Sequence, residues 1–484
     1  IVQNYKSSPM FNYALYKLGW VYYNLREFRR TVETFQAVVR EISKLKGKAL
    51  SFKEQALKDL VPAYAELERG WPEAKSYFAK VEGEAQMWRR LERLAAIYVA
   101  NDKQDLAIEL HSHFIDSKPT DKRCVNWWET IIDIYLGLEE FGGIEGAIRK
   151  FLAFTDERTS AWVAANKNDE EAMEKAAELG EKYLLYMSNH FHQKAQKMED
   201  ETKSLEAARP FYAKAGADYK EFVRRYPNSK KAYIVSFYYA EILYTQMKDY
   251  EGAREQYKRV IARDSKGQYL EDAALGVIYS VENLLKQARY RYNYEKNVWI
   301  KDETAPPLIA VSTSEGRSSV TSTKKSKDDE VSEEEIKGAS VPKKRQELHA
   351  LEKDFVDAAD KYVALMIELR KTKPKGWQKK GKDVPGIMYL AAATYYERGQ
   401  YPKAVERLEI VFNYDKARIE SEIAVKTLID IYARQKHWVK IEEWARKMLD
   451  RRKNQLFKTK DLRKYVAISV GEQARELAER KDFD

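Results

Sequence analysis

The sequence is poor in the residues that crosslink a chain or turn it sharply. Its 484 residues include one cysteine, Cys124, which excludes an internal disulfide framework and a cysteine-ligated zinc or iron–sulfur site within one chain. Glycine (20 residues) and proline (12) together fall well below the roughly 12% typical of proteins. Because strand-rich sandwiches and barrels use these residues in their turns, a many-stranded β architecture is not expected.

Long apolar runs are also missing, since no stretch approaches the roughly 18 apolar residues that a membrane-spanning helix needs. Charged residues make up 33% of the chain and hydrophobic residues 44%, a mixture typical of long amphipathic helices. The net charge of +10 is a mild bias toward anionic partners and not a nucleic-acid signature. Because the sequence begins at Ile1 and not at Met, we expect residues upstream, and the lack of a leader does not bear on export.

What the sequence has instead is an internal repeat of small and aromatic residues. Matching offsets recur in five segments, which contain Leu18, Gly19, Tyr22, Phe28 and Phe35; Leu94, Ala95, Tyr98, Ala107 and Phe114; Tyr244, Tyr250, Ala253, Tyr257 and Val260; Ala391, Ala392, Tyr395, Tyr401 and Leu408; and Leu428, Ile429, Tyr432, Trp438 and Ile441. Small residues let two helices approach closely, and aromatics fill the spaces between successive pairs. One pair leaves an apolar face bare, so the pairs must stack to bury a core.

This grid of residues resembles the tetratricopeptide repeat family. The resemblance implies an all-α fold, a tetratricopeptide-like α-solenoid in which helical hairpins form a right-handed superhelix. It also implies that the first helix of each hairpin lines a concave groove for partner proteins. The resemblance is specific for the fold and only weakly specific for the function.

Composition divides the chain into three parts. Residues 305–342 combine a Ser/Thr-rich stretch with an acidic stretch and have no apolar period, so we predict a flexible insertion there. The insertion separates a tetratricopeptide-like solenoid arm, residues 1–304, from residues 343–484, a long helix followed by C-terminal repeats.

Two further segments do not fit the repeat grid. Residues 171–205 predict one long helix. The heptad spacing in residues 343–371 predicts a helix that pairs with an antiparallel helix at 269–299. We favour a central helix hairpin packed inside the solenoid over an intermolecular coiled coil.

Residue patterns that would carry catalysis are scarce. Two His-x-His pairs, His111 with His113 and His190 with His192, lie in predicted helices, where a spacing of two places side chains on opposite faces. The glycine-rich segment 141–146 has no preceding strand and no following Gly-Lys-Ser/Thr, so we predict a turn between helices. We expect no metal site, no cofactor and no enzymatic activity.

Two surfaces are candidates for binding partners. Carried over by position, the resemblance implies groove residues at Tyr16, Trp20, Tyr23, Tyr238, Ile242, Tyr389 and Tyr396. Exposed aromatics anchor peptides well, whereas the alternative is that these side chains pack on neighbouring helices. The second surface is a basic patch formed by Lys373, Lys375, Trp377, Lys379 and Lys380. It suits an acidic partner, a lipid headgroup or a nucleic-acid backbone, or else it is a solvated linker.

One local string narrows the functional interpretation. Residues 222–229, Phe-Val-Arg-Arg-Tyr-Pro-Asn-Ser, resemble the helix junctions of bacterial envelope tetratricopeptide proteins of the TolA-binding and outer-membrane assembly lipoprotein types, and residues 16–23 and 441–447 resemble large proteins of gliding, myxobacteria-like cells. The resemblance implies a non-catalytic scaffold in a periplasmic or outer-membrane complex, with protein partners and no small-molecule substrate. Membrane attachment would come only through partners or an upstream lipid anchor. The alternatives are a cytoplasmic location and a helical-repeat nucleic-acid binder, suggested by the charge and the interleaved tyrosines.

Overall fold

The structure, a computed structural model, forms two compact units, Ile1–Met187 and Ser188–Asp484. The residues that it describes are 10–44, 49–308, 336, 342–372, 381, 383–414, 419–451 and 456–480. The boundary between the units lies inside the arm predicted for residues 1–304. Most of the predicted insertion, residues 305–342, is outside the described residues, so the arms and the insertion stay predictions.

Unit 1 consists of helical hairpins that follow one another along the chain. Its helices are α1 (Phe11–Asn24), α2 (Phe28–Ile42), α3 (Ala49–Ala65), α4 (Trp71–Glu82), α5 (Glu84–Ala100), α6 (Gln104–Ser117), α7 (Cys124–Gly137), α8 (Phe141–Phe154), the short α9 (Ala161–Asn166) and the first part of α10 (Glu170–Thr202). Most consecutive helices pack together, and α3 also contacts α5, the first helix of the next hairpin. This pattern of helix contacts is that of stacked hairpins, and it confirms the solenoid prediction within the unit.

Unit 2 begins within α10 and repeats the same arrangement. Its helices are α11 (Leu205–Arg225), α12 (Ala232–Glu241) with a π-helical extension (Ile242–Met247), α13 (Tyr250–Arg263), α14 (Leu270–Gln287), α15 (Ala350–Thr372), α16 (Val384–Glu397), α17 (Tyr401–Tyr414), α18 (Ile419–Arg434), α19 (Trp438–Leu449) and α20 (Thr459–Arg480). The long helix predicted at 171–205 is confirmed as α10. Here too a first helix, α16, contacts the next first helix, α18.

Most of the hairpin turns share a residue with left-handed backbone geometry. Seven turns in the described part of the chain contain a residue with positive φ just after the first helix: Arg26, Asp102, Glu139, Lys203, Lys248, Gly399 and Lys436. In five of them the next residue donates its N–H to a tyrosine carbonyl five positions earlier, on Tyr22, Tyr98, Tyr135, Tyr395 and Tyr432. This is the Schellman cap, which satisfies a terminal carbonyl and reverses the chain. The turn predicted at 141–146 was misplaced, because those residues begin α8.

The helix predicted at 269–299 is only partly correct. It ends at Gln287 and is followed by an antiparallel hairpin of β1 (Tyr290–Asn293) and β2 (Val298–Lys301), in which Tyr292 pairs with Trp299. Tyrosines alternate with polar residues in β1, and β2 consists mainly of the β-branched and aromatic residues that are common in strands. The fold is otherwise all-α in the described residues.

The predicted antiparallel pairing of α14 with α15 is confirmed. The Tyr290 and His349 rings, at one end of the pair, have centroids 4.3 Å apart, and at the other end the Tyr362 hydroxyl lies 3.5 Å from a Glu271 carboxylate oxygen. The heptad stripe on α15 is therefore covered within the chain, because Phe355 and Tyr362 belong to the core of unit 2.

Candidate partner-binding surface

The aromatic residues predicted to line the groove in unit 1 lie on α1. The Tyr16 hydroxyl donates to an Asp59 carboxylate oxygen on α3 at 2.6 Å, and the Tyr16 ring lies 5.1 Å from that of Phe52. Burial and, next, the hydrogen bond to Asp59 raise the pKa of Tyr16 because both disfavour the phenolate. Tyr16 thus links the first hairpin to the second, and only part of its ring is accessible.

Trp20 and Tyr23 are packed on the second helix of their own hairpin. Their ring centroids lie 5.3 Å apart in an edge-to-face arrangement, with Trp20 also 5.8 Å from Phe35 and Tyr23 5.6 Å from Phe28. Burial raises the pKa of Tyr23, and the negative charge of Glu66 adds to this. Both residues are half-buried, so each offers one edge to solvent from a fixed position.

The predicted groove residues on α12 differ from each other. The Tyr238 ring is half-buried, 6.2 Å from that of Tyr219 and 6.3 Å from that of His192. Ile242 is 1% exposed and fills the space beside Gly216, where an added Cβ would lie 3.4 Å from Ile242 Cγ2. The prediction that Ile242 lines the groove is therefore wrong, because this apolar side chain completes the contact of α11 with α12.

On α16 the two predicted tyrosines connect two hairpins. The Tyr389 hydroxyl shares a 3.4 Å hydrogen bond with Thr427 Oγ1, and the Tyr396 hydroxyl donates to Asp430, which also accepts from Arg434 Nε at 2.7 Å. Burial is the main cause that raises the pKa of both tyrosines. Each ring is half-buried, so their hydroxyls serve the stack and only ring edges remain for a partner.

These contacts define a recurring role that sequence reasoning missed. In both units a tyrosine on the first helix of one hairpin is hydrogen-bonded to a polar residue on the first helix of the next, as in Tyr16 with Asp59, Tyr244 with Asn283, Tyr389 with Thr427 and Tyr396 with Asp430. These four hydrogen-bonded pairs link successive hairpins. The partners of the tyrosines lie 34 or more residues away along the chain, so no local pattern marks them.

The most exposed apolar side chains of α1 lie beside the predicted groove residues. Tyr13 is 48% exposed and Val21 49%, and the Lys17 ammonium between them lies 5.3 Å from the centre of the Tyr13 ring. These three residues share one face of the helix, at a spacing of four. In the sequence, Tyr13 and Val21 are large apolar residues at positions that the repeat pattern does not assign to the core, and this was the signal for an exposed apolar face. We call Tyr13, Lys17 and Val21 the α1 face.

The basic patch of Lys373, Lys375, Trp377, Lys379 and Lys380 lies outside the described residues, so its assignment stays a prediction. Among the described residues there is no group of three or more His, Cys, Asp or Glu side chains placed to hold a metal ion. None of the described helices combines the length and the apolarity that crossing a bilayer requires.

The geometry defines a helical-repeat protein with partly exposed aromatic rings on the first helices of its hairpins. Residues 13–41, which span α1 and most of α2, match the family model described as tetratricopeptide repeat. The first hairpin is therefore similar to a tetratricopeptide repeat, and the other Schellman-capped hairpins share its turn.

Comparison with whole proteins gives only remote similarities. No curated protein matches the sequence. A circular tandem repeat protein with novel repeat topology and enhanced subunit contact surfaces aligns at 13% identity and a TM-score of 0.21, over 98% of each chain. The tetratricopeptide domain of P58(IPK) aligns at 10% identity and 0.18, over 98% of this chain and 99% of that one. Naa15/Naa10 bound to HypK-THB aligns at 13% and 0.18, over 94% and 67%. TM-scores this low do not establish a shared overall fold.

Proposed function

We propose that the chain is a non-catalytic protein–protein interaction scaffold that binds partner segments along the first helices of its hairpins. The observation that carries this proposal is the α1 face. It lies within the residues that match the tetratricopeptide repeat model, a family of protein–protein interaction modules, and its two large apolar side chains are about half exposed.

The chemistry of the α1 face suits a partner with an amphipathic or extended segment. Tyr13 and Val21 offer apolar area, and the half-buried Trp20 and Tyr23 rings lie on the same helix in fixed orientations. Rigid aromatic side chains contribute contact area at little cost in conformational entropy. Lys17 adds a cation that can pair with a carboxylate or a backbone carbonyl of the partner.

Co-purification from extracts of the source cell tests the proposal. The variant is Tyr13→Ala with Val21→Ala, because Trp20 packs on Phe35 and its removal would loosen the hairpin itself. The matched control is Glu33→Ala, an exposed residue on α2. We expect the variant to lose partners that both wild type and control retain, with an unchanged melting temperature. An identical set of partners for all three proteins would refute the proposed face.

We also propose a location in the bacterial cell envelope, as a periplasmic or outer-membrane-associated component. The support is the resemblance of residues 222–229 to junctions in envelope proteins. The same turn has a local physical cause, since Ser229 Oγ accepts the N–H of Lys231 at 3.0 Å just before α12 begins. Fractionation of cells that express the full gene tests the location. Recovery with the periplasm or outer membrane supports it, and recovery only in the cytoplasm contradicts it.

A further inference from the structure

Two consecutive turns of unit 2 lie side by side and carry basic residues. The first turn joins α11 to α12 and the second joins α13 to α14. Arg263, at the end of α13, donates from its guanidinium to the Pro227 carbonyl in the first turn at 2.6 Å. The Tyr269 N–H in the second turn donates to the Tyr233 hydroxyl at 2.9 Å. These bonds fix the two turns against each other.

Four cations surround this junction without a carboxylate partner. Lys230, Arg259, Arg263 and Lys266 are exposed, and within the part of the chain that the structure describes none forms an ion pair. Burial and, next, the positive charge of Arg259 lower the pKa of Arg263, as expected where like charges are close and uncompensated. We call these four residues the turn cluster.

Neighbouring cations on the same helices do have carboxylate partners. Arg224 and Arg225 on α11 share the carboxylate of Glu221, and Lys258 on α13 pairs with Glu255 at 3.2 Å. Together the two arginines lower the pKa of Glu221 to about 2, with the Arg224 hydrogen bond as the largest cause. Glu221 and Glu255 are thus already engaged by other cations. Within the second turn, Asp264 accepts the backbone N–H of Lys266 at 2.9 Å and forms no ion pair among the described residues. It therefore offsets one of the four positive charges of the turn cluster and leaves an excess of three (4 − 1).

We propose that the turn cluster docks an acidic segment of a partner protein. This inference rests on the proposed scaffold function and adds a second surface to it, on a different unit from the α1 face. Guanidinium groups bind carboxylates in a two-pronged geometry, and Arg259 has only a 3.4 Å contact to Gln256 to give up. Arg259 and Arg263 are one helical turn apart, about 6 Å, so a short acidic run spans the cluster.

The aromatic residues at the junction argue against a nucleic-acid partner. Single-stranded nucleic acid needs free ring faces for its bases to stack on. Here the Tyr233 ring stacks on Tyr269 with centroids 6.0 Å apart, and the Tyr226 ring packs against Phe222 at 5.5 Å. Both tyrosine rings are thus half-buried and packed against other rings of the chain, so the junction offers exposed charge and no exposed aromatic side chain, which fits carboxylates.

Fluorescence anisotropy with a labelled hexaglutamate peptide tests the proposal on the full chain. The variant is Arg259→Glu with Lys266→Glu, which spares the Arg263 bond to Pro227. The matched control, Lys197→Glu with Arg209→Glu, changes net charge equally at cations of unit 2 that already have carboxylate partners. We expect the variant to bind about tenfold more weakly and the control to bind within about twofold of wild type, since reversing an unpaired cation converts attraction to repulsion.

Three results would overturn the proposal. The first is hexaglutamate affinity unchanged in the variant, and the second is an equal loss in the control, which would mean that only net charge matters. The third is tighter binding of a uridine hexanucleotide than of hexaglutamate, which would favour nucleic acid. The Tyr13→Ala with Val21→Ala variant should bind hexaglutamate like wild type. A failure of the scaffold proposal at the α1 face is therefore distinguishable from a failure of the turn cluster.

Discussion

Replacing Arg398 with methionine should strongly destabilise unit 2. Its Nε and Nη2 atoms donate to Glu352 Oε1 at 2.9 and 2.7 Å, and its guanidinium lies 4.7 Å from the Trp299 ring centre. The other Glu352 oxygen accepts the His349 N–H at 2.8 Å, which caps the start of α15. The Glu352 side chain is 3% exposed and that of Arg398 17%, so the substitution leaves a buried carboxylate without its cation.

The expected loss in the free energy of unfolding follows from the burial of this ion pair. Removing one partner of a buried ion pair costs about 3–5 kcal/mol, and the residual exposure of Arg398 places the expected loss near 3 kcal/mol. Urea unfolding of the full chain measures it, and hydrogen exchange of peptides covering residues 346–356 locates it. Arg345→Met is the control, because Arg345 is 73% exposed, and it should cost less than about 0.5 kcal/mol. An Arg398→Met loss as small as that of the control would refute the reasoning.

Three smaller predictions concern a tightly packed glycine, an exposed glycine and a buried thiol. Gly276→Ala should cost about 1–3 kcal/mol in urea unfolding, because a Cβ there would lie 2.6 Å from the buried Tyr257 ring. Gly146→Ala should instead stabilise by about 0.5–1 kcal/mol, since nothing lies within 4 Å of its added Cβ in α8, and equal effects of the two would contradict the packing. Burial raises the pKa of Cys124 to about 12, so its thiol should react with a disulfide reagent at pH 8 only after unfolding; rapid native labelling would contradict this.

The repeat could be predicted because its signal is periodic and local. Gly19 faces the Phe35 ring, with an added Cβ at 2.6 Å, which is the close approach that the small residue indicated. The turns could not be located as well, because most of their left-handed positions hold residues such as Arg26 and Lys436 and not glycine. The β hairpin after Gln287 was missed because short apolar runs fit strand and helix equally.

The candidate site was only partly predictable for a different reason. Position within the repeat identified which residues lie on the first helices, such as Tyr16 and Tyr396. It could not show that their hydroxyls bind Asp59 and Asp430 in the next hairpin, because burial depends on neighbours distant in sequence. Ile242 shows the same limit, since its burial depends on a glycine of another helix.

Site-specific photo-crosslinking tests the scaffold account most directly. A benzophenone amino acid at Lys17, in the middle of the α1 face, is compared with one at the exposed Glu33 on α2. The account predicts a discrete protein adduct at position 17 in living cells, absent at position 33 and lost when Tyr13 and Val21 are alanine. Equal labelling at both positions, or none at position 17, would contradict it.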